Sequence, residues 1–162
     1  MDIYFLRHGE AGKKAEWSGD DRDRPLTPDG RERMVASAAG LAALDLGVER
    51  IVTSPLLRAR ETAEIAARAL GLQAQLDDRL APGFGPRELA ALMADNAGRK
   101  ALILVGHEPD FSETISFCIG GGRIDCKKGA VARVEIVESA GALRGTLLWL
   151  APPRLLAGLT RS

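Results

Sequence analysis

Short apolar runs that end abruptly in charge or glycine alternate with longer stretches of helical spacing along most of this chain. Residues 2–6 form the first run, and such a run opening into a charged, glycine-containing segment reads as a buried strand leading to a functional loop. Residues 11–26 are polar and without periodicity. The sequence Thr27-Pro28-Asp29-Gly30 then supplies an N-cap threonine and a proline at the first helical position, which predicts a helix to Leu46.

The alternation repeats. Residues 50–53 predict a second strand, and Ser54-Pro55 opens a helix that continues through an alanine-rich stretch to Leu70, with Gly71 as its stop. A weaker strand is expected at 73–76, a helix at 87–96, and an almost wholly apolar central strand at 101–105, closed by Gly106-His107. Residues 112–119 predict a further helix, Gly120-Gly121-Gly122 a loop, and residues 130–137 and 146–150 two late strands able to pair as a hairpin.

Strands alternating with helices predict an α/β fold, a three-layer α/β/α sandwich around a mostly parallel mixed sheet, with the ligand site beyond the carboxyl ends of the strands. At 162 residues and 46% hydrophobic content, residues 1–162 are expected to form a single domain.

Twenty-two basic residues balance twenty-two acidic ones, so no bulk field attracts nucleic acid or an anionic membrane, and any attraction for anions must be local. Neither a signal sequence nor an apolar stretch of membrane-spanning length is evident. Cys118 and Cys126 fit no metal or redox spacing and read as small hydrophobes or loop thiols. A cytoplasmic location is expected.

The two histidines of the chain, His8 and His107, each follow a predicted strand, which places both at one edge of the sheet. Arg7 precedes His8, and Arg58 lies in the first turn of the helix after the second strand. An imidazole nucleophile among planar guanidinium donors suits phosphoryl transfer, because those forks match phosphoryl oxygens in charge and shape. A lone strand-end histidine is more often structural, so the reading rests on co-location of all four. No metal or other cofactor is called for when enough cations are preorganised.

The segments Leu6-Arg7-His8-Gly9-Glu10-Ala11, Leu26-Thr27-Pro28-Asp29-Gly30, Ser54-Pro55-Leu56-Leu57-Arg58-Ala59-Arg60-Glu61-Thr62-Ala63 and Val105-Gly106-His107-Glu108-Pro109 resemble the histidine phosphatase superfamily in order and spacing. Within it, the short length, His107-Glu108-Pro109-Asp110 and Lys127-Lys128-Gly129-Ala130 are most similar to the small bacterial phosphohistidine phosphatases of the SixA type.

The resemblance implies a phosphoglycerate-mutase-like fold and a covalent mechanism. His8 attacks phosphorus as a neutral imidazole, its other ring nitrogen held by a backbone carbonyl near Gly9, and the phosphohistidine so formed is hydrolysed by water. Arg7, Arg58 and His107 bind phosphate, with His107 working as a cation. Arg24, before Pro25-Leu26-Thr27, matches a basic position and is a further candidate contact. The substrate so implied is a phosphorylated protein or a small phosphorylated molecule.

Many relatives that cleave phosphate esters carry a carboxylate as general acid, whereas Leu80-Ala81-Pro82-Gly83-Phe84-Gly85-Pro86 contains none. Glu108 is the candidate proton donor; Asp77, Asp78 and Glu88 read as surface residues. An imidazole leaves more easily than an alkoxide, so the missing acid favours phosphohistidine over sugar phosphates. A phosphomonoesterase or mutase-like activity on metabolites, and a noncatalytic phosphate-binding module, are the competing readings.

Other signals carry less. Asp20, Asp21 and Asp23 read as a solvated acidic cluster rather than a cation site, and Gly120-Gly121-Gly122 lacks the residues of a nucleotide loop. Lys127-Lys128 reads as a charged turn before a strand, with steering of an acidic partner as the alternative. Trp17 is expected at the pocket rim and Trp149 in the core.

Overall fold

The computed structural model describes residues 1–160. In chain order the regular elements are β1 (Asp2–Arg7), α1 (Pro28–Ala43), β2 (Arg50–Thr53), α2 (Leu57–Leu70), β3 (Ala74–Leu76), α3 (Pro86–Asp95), β4 (Ala101–Gly106), α4 (Asp110–Cys118), β5 (Val131–Ser139), β6 (Ala142–Ala151) and α5 (Pro153–Gly158). The six strands make one sheet in the order β3-β2-β4-β1-β5-β6. Its β3-β2-β4-β1 half is parallel, and β5 and β6 add to it antiparallel.

Burial on both faces explains the near-continuous apolar strands. On one face Tyr4, Leu6, Ile51, Ile103 and Val105 pack against Met34, Ala38 and Leu41 of α1, Ala59, Ala63 and Ala66 of α2, and Leu156 of α5. On the other, Ile3, Phe5, Val52, Leu102 and Leu104 meet Leu89 and Leu92 of α3 and Phe111 and Ile115 of α4. Alternate residues of each strand thus feed opposite cores, which produces the three layers.

Several boundaries depart from those expected. α1 stops at Ala43 rather than Leu46, because Asp45 takes a left-handed backbone (φ 47°) that no longer continues the helix. α2 starts at Leu57 rather than Ser54: the Ser54 hydroxyl turns back to accept the Leu56 amide, at 3.3 Å, and Leu56 stays extended. α4 begins two residues before Ser112.

The last two strands run longer than predicted, meeting at Ala140-Gly141, where both residues have positive φ (52° and 75°). Such a pair of left-handed residues makes a tight hairpin turn. β6 is an edge strand whose residues alternate between exposed and half-buried, so its first four residues lie outside the strand expected at 146–150. Trp149, on that strand, is half-buried and tilts against Tyr4 with centroids 5.9 Å apart. No helix is long and apolar enough to cross a membrane among the described residues.

Candidate active site

Parallel β1, β2 and β4 end at the same edge of the sheet, and register fixes what they deliver there: Arg7 pairs with Gly106, and Thr53 with Val105. His8 and His107 follow immediately, and their rings lie 5.2 Å apart between centroids. The His8 backbone amide donates to the Gly106 carbonyl at 3.1 Å, which ties the two loops together.

His8 Nδ1 lies 2.7 Å from the Gly9 carbonyl. A carbonyl only accepts, so Nδ1 carries the hydrogen and Nε2 keeps its lone pair. Gly9 is itself held: its amide donates to Thr62 Oγ1 at 3.0 Å, and that buried hydroxyl donates to the Arg58 carbonyl at 2.7 Å. Thr62 therefore links the turn that carries Arg58 to the loop that orients His8.

Arg7 and Arg58 border the two imidazoles closely enough to depress the proton affinity of both. Arg7 Nη1 donates to the Cys126 carbonyl at 2.8 Å. Arg58, only 5% exposed, donates from Nη1 to the Asp21 carbonyl (2.7 Å) and from Nη2 to its carboxylate (3.1 Å). Arg24 joins the same carboxylate through Nε at 2.8 Å, while its Nη1 holds the carbonyls of Ala11 and Gly12, each at 2.9 Å.

Burial is the main reason His8 falls from its ordinary 6.5 to about 3; the Gly9 carbonyl opposes the shift, and His107, Arg58 and Arg7 reinforce it. Burial and then Arg58 likewise press His107 down to about 4, against the opposing pull of Asp21. Burial thus favours the neutral form of His107, against the cationic role that the resemblance implies. Its Nε2 meets Ser54 Oγ at 2.7 Å, and its buried Nδ1 has no protein partner. Arg7 Nε and Arg58 Nε are also buried without partners, so unpaired nitrogens concentrate where an oxyanion would supply acceptors.

Glu10, Asp21, Glu108 and Asp110, the carboxylates that flank the two histidine loops, each have partners. Glu10 holds Lys128 Nζ at 2.7 and 2.9 Å, and Asp21 holds the two arginines. Glu108 accepts from both the amide and the hydroxyl of Ser112, capping the start of α4. Asp110 accepts the Gly83 amide at 2.8 Å, fastening the acid-free loop 80–86. Asp77 pairs with Arg79, and Glu88 accepts the Gly85 amide, each within its own segment.

Residues 3–100 match the model of the histidine phosphatase superfamily (branch 1). The chain belongs to this superfamily. It is 44% identical over 137 residues to an uncharacterised protein of Picosynechococcus sp., covering 81% of this chain and 82% of that one. It is 29% identical over 160 residues to the phosphohistidine phosphatase SixA of Escherichia coli, covering 94% of each. The structure of the protein histidine phosphatase SixA complexed with tungstate superposes with a TM-score of 0.82 at 28% identity, over 95% of this chain and 98% of that one. The fold is that of a SixA-like, phosphoglycerate-mutase-like histidine phosphatase.

Sequence reasoning did not single out Asp21 as a site residue, nor Ser54 or Thr62 as supports. Asp21, read as part of a solvated acidic cluster, instead holds Arg24 and Arg58, because the fold brings the polar loop 11–26 over α2. Thr62 carried a readable signal, since it follows Arg58 by one helical turn. Trp17, expected at the rim, donates its indole N–H to the Asp20 carbonyl at 2.9 Å and thereby folds back on its own loop, beside Asp21.

Proposed function

We propose that residues 1–162 act as one domain that removes phosphate from phosphohistidine on a protein, with His8 as nucleophile and Arg7, Arg58 and His107 binding the phosphoryl group. The observation that carries this reading is a nucleophile with a free Nε2 lone pair beside buried Arg58 and half-buried Arg7, at an edge where Glu10, Asp21, Glu108 and Asp110 already have partners.

In the first step His8 Nε2 forms a bond to phosphorus as the substrate's P–N bond breaks. Phosphohistidine protonated on its other ring nitrogen leaves as neutral imidazole and needs no proton from the enzyme, whereas an alkoxide does. Arg7 and Arg58 neutralise the equatorial oxygens. The phosphoryl dianion supplies the negative charge that returns a proton to His107, so the cationic form belongs to the loaded site. Water then attacks phosphorus, and inorganic phosphate leaves as His8 regains its neutral form.

Arg24 keeps Arg58 in place through their shared Asp21 and adds charge to the phosphate site. Both cysteines are buried and unpaired, which suits a protein of the reducing cytoplasm. The sequence relation to E. coli SixA supports the substrate class.

The test is a panel of a phosphohistidine-bearing protein, N-phosphoimidazole and several sugar phosphates. Turnover of the P–N substrates at least about 100-fold above the esters is expected, about 3 kcal/mol of discrimination. Efficient ester hydrolysis with phosphohistidine left intact overturns the reading.

A further inference from the structure

A concavity of about 670 Å³ lies between α1, the strap that leads into β5, and the corner joining β6 to α5. Arg33 of α1, Lys127 of the strap and Arg154 of α5 line it, together with Ala36, Pro152, Pro153 and Ala157. No acidic side chain is in that lining. Three exposed cations on one concave surface stand out in a chain of zero net charge.

Among the described residues neither Arg33 nor Arg154 has an acidic partner, and Lys127 meets only Asp125, at 2.7 Å between two well-exposed side chains. Exposed pairs of that kind exchange partners at little cost. The positive field is therefore free to act outward.

This groove adjoins the catalytic edge. Gly129, two residues beyond Lys127, donates its amide to the carbonyls of Arg7 (3.2 Å) and His8 (3.1 Å). A Cβ on Gly129 would stand 3.5 Å from Pro153 Cγ, so the same residue lies beside the groove's other wall. Lys128, between them, is bound to Glu10 beside the nucleophile loop.

We propose that this basic groove docks an acidic segment of the phosphoprotein substrate next to the phosphohistidine held by His8. The inference rests on the phosphohistidine reading above. It assigns to Arg33, Lys127 and Arg154 a role in recognising the protein rather than the phosphoryl group. Docking charges outside the reacting centre raise encounter rates with a large substrate and leave a small one untouched.

The experiment compares the wild type with Arg33→Glu/Arg154→Glu and with the milder Arg33→Gln/Arg154→Gln, on an acidic phosphohistidine protein and on N-phosphoimidazole. At low salt, kcat/KM for the protein should fall about tenfold or more in the reversed variant and less in the neutral one, with a flatter salt dependence. Turnover of N-phosphoimidazole should stay within about twofold. Unchanged protein turnover, or an equal loss on both substrates, overturns the proposal.

If the wild type hydrolyses neither P–N substrate, the phosphohistidine reading fails and the groove is judged by binding alone. A fluorescent polyglutamate peptide should then bind the wild type and lose about tenfold in affinity on charge reversal. Equal binding to both proteins, or tighter binding of a duplex oligonucleotide that displaces the peptide, overturns docking of an acidic protein segment.

Discussion

Removing one buried hydroxyl, in Thr62→Val, tests whether the support behind the nucleophile matters as much as the nucleophile's neighbours. Valine keeps the shape, but the Gly9 amide loses the acceptor that now lies 3.0 Å away. The Arg58 carbonyl, inside α2, keeps a partner in the helical amide of residue 62, so one buried donor is orphaned. That costs about 1–3 kcal/mol. At roughly 2–4 °C per kcal/mol for a chain of this size, a Tm lowered by a few degrees or more is expected.

The larger effect should be on rate. Gly9 receives Thr62 on its amide and holds His8 Nδ1 on its carbonyl, so a loosened Gly9 misaims Nε2. Misplacement on the order of 1 Å lowers reactivity about 100-fold. Thermal melts and kcat with N-phosphoimidazole read the two effects separately, and Thr62→Ser, which restores the hydroxyl, should recover most of kcat. A Thr62→Val protein with unchanged kcat, or a serine variant as slow as the valine one, refutes the reasoning.

Burial holds His8 at about 3 and His107 at about 4, below the ordinary 6.5, so the unfolded chain takes up protons that the folded chain refuses. Stability from these two groups is fully present above pH 6.5 and is lost as pH falls toward 4 and then 3; urea midpoints at pH 7 and pH 4.5 should show the loss, and His8→Gln/His107→Gln should flatten it. Gly30→Ala would place a Cβ 2.1 Å from the Glu10 carbonyl oxygen, a backbone clash that should destabilise the α1 start by about 1–3 kcal/mol in denaturant titrations. Glu108→Gln should keep phosphohistidine turnover within about threefold, since the leaving imidazole needs no acid; a 100-fold loss would make Glu108 the proton donor after all.

The parallel half of the sheet was legible because its strands are buried on both faces and read as plain apolar runs: residues 2–6, 50–53 and 101–105 are all strand. β6 was half legible, since exposure on an edge strand dilutes the pattern, and α5, only six residues behind two prolines, carried no periodicity to read. His8, His107, Arg7 and Arg58 were legible at the site because each sits at a strand end or in the first turn of a helix. Asp21 was not, and of Thr62 only the spacing from Arg58 was, as the bonds of Asp21 to Arg58 and of Thr62 to Gly9 depend on which groups the fold brings within hydrogen-bond reach. The depressed proton affinity of His107 was not legible either, because it comes from burial, which no motif expresses.

The central claim, that His8 carries the phosphoryl group, is tested most directly by mixing the protein with an isotopically labelled phosphohistidine donor, quenching within milliseconds, and mapping the label. The account predicts an acid-labile, alkali-stable phosphoryl group on His8 that vanishes on chase with water and never forms in His8→Ala. Label on any other residue, or full turnover by His8→Ala, would contradict it.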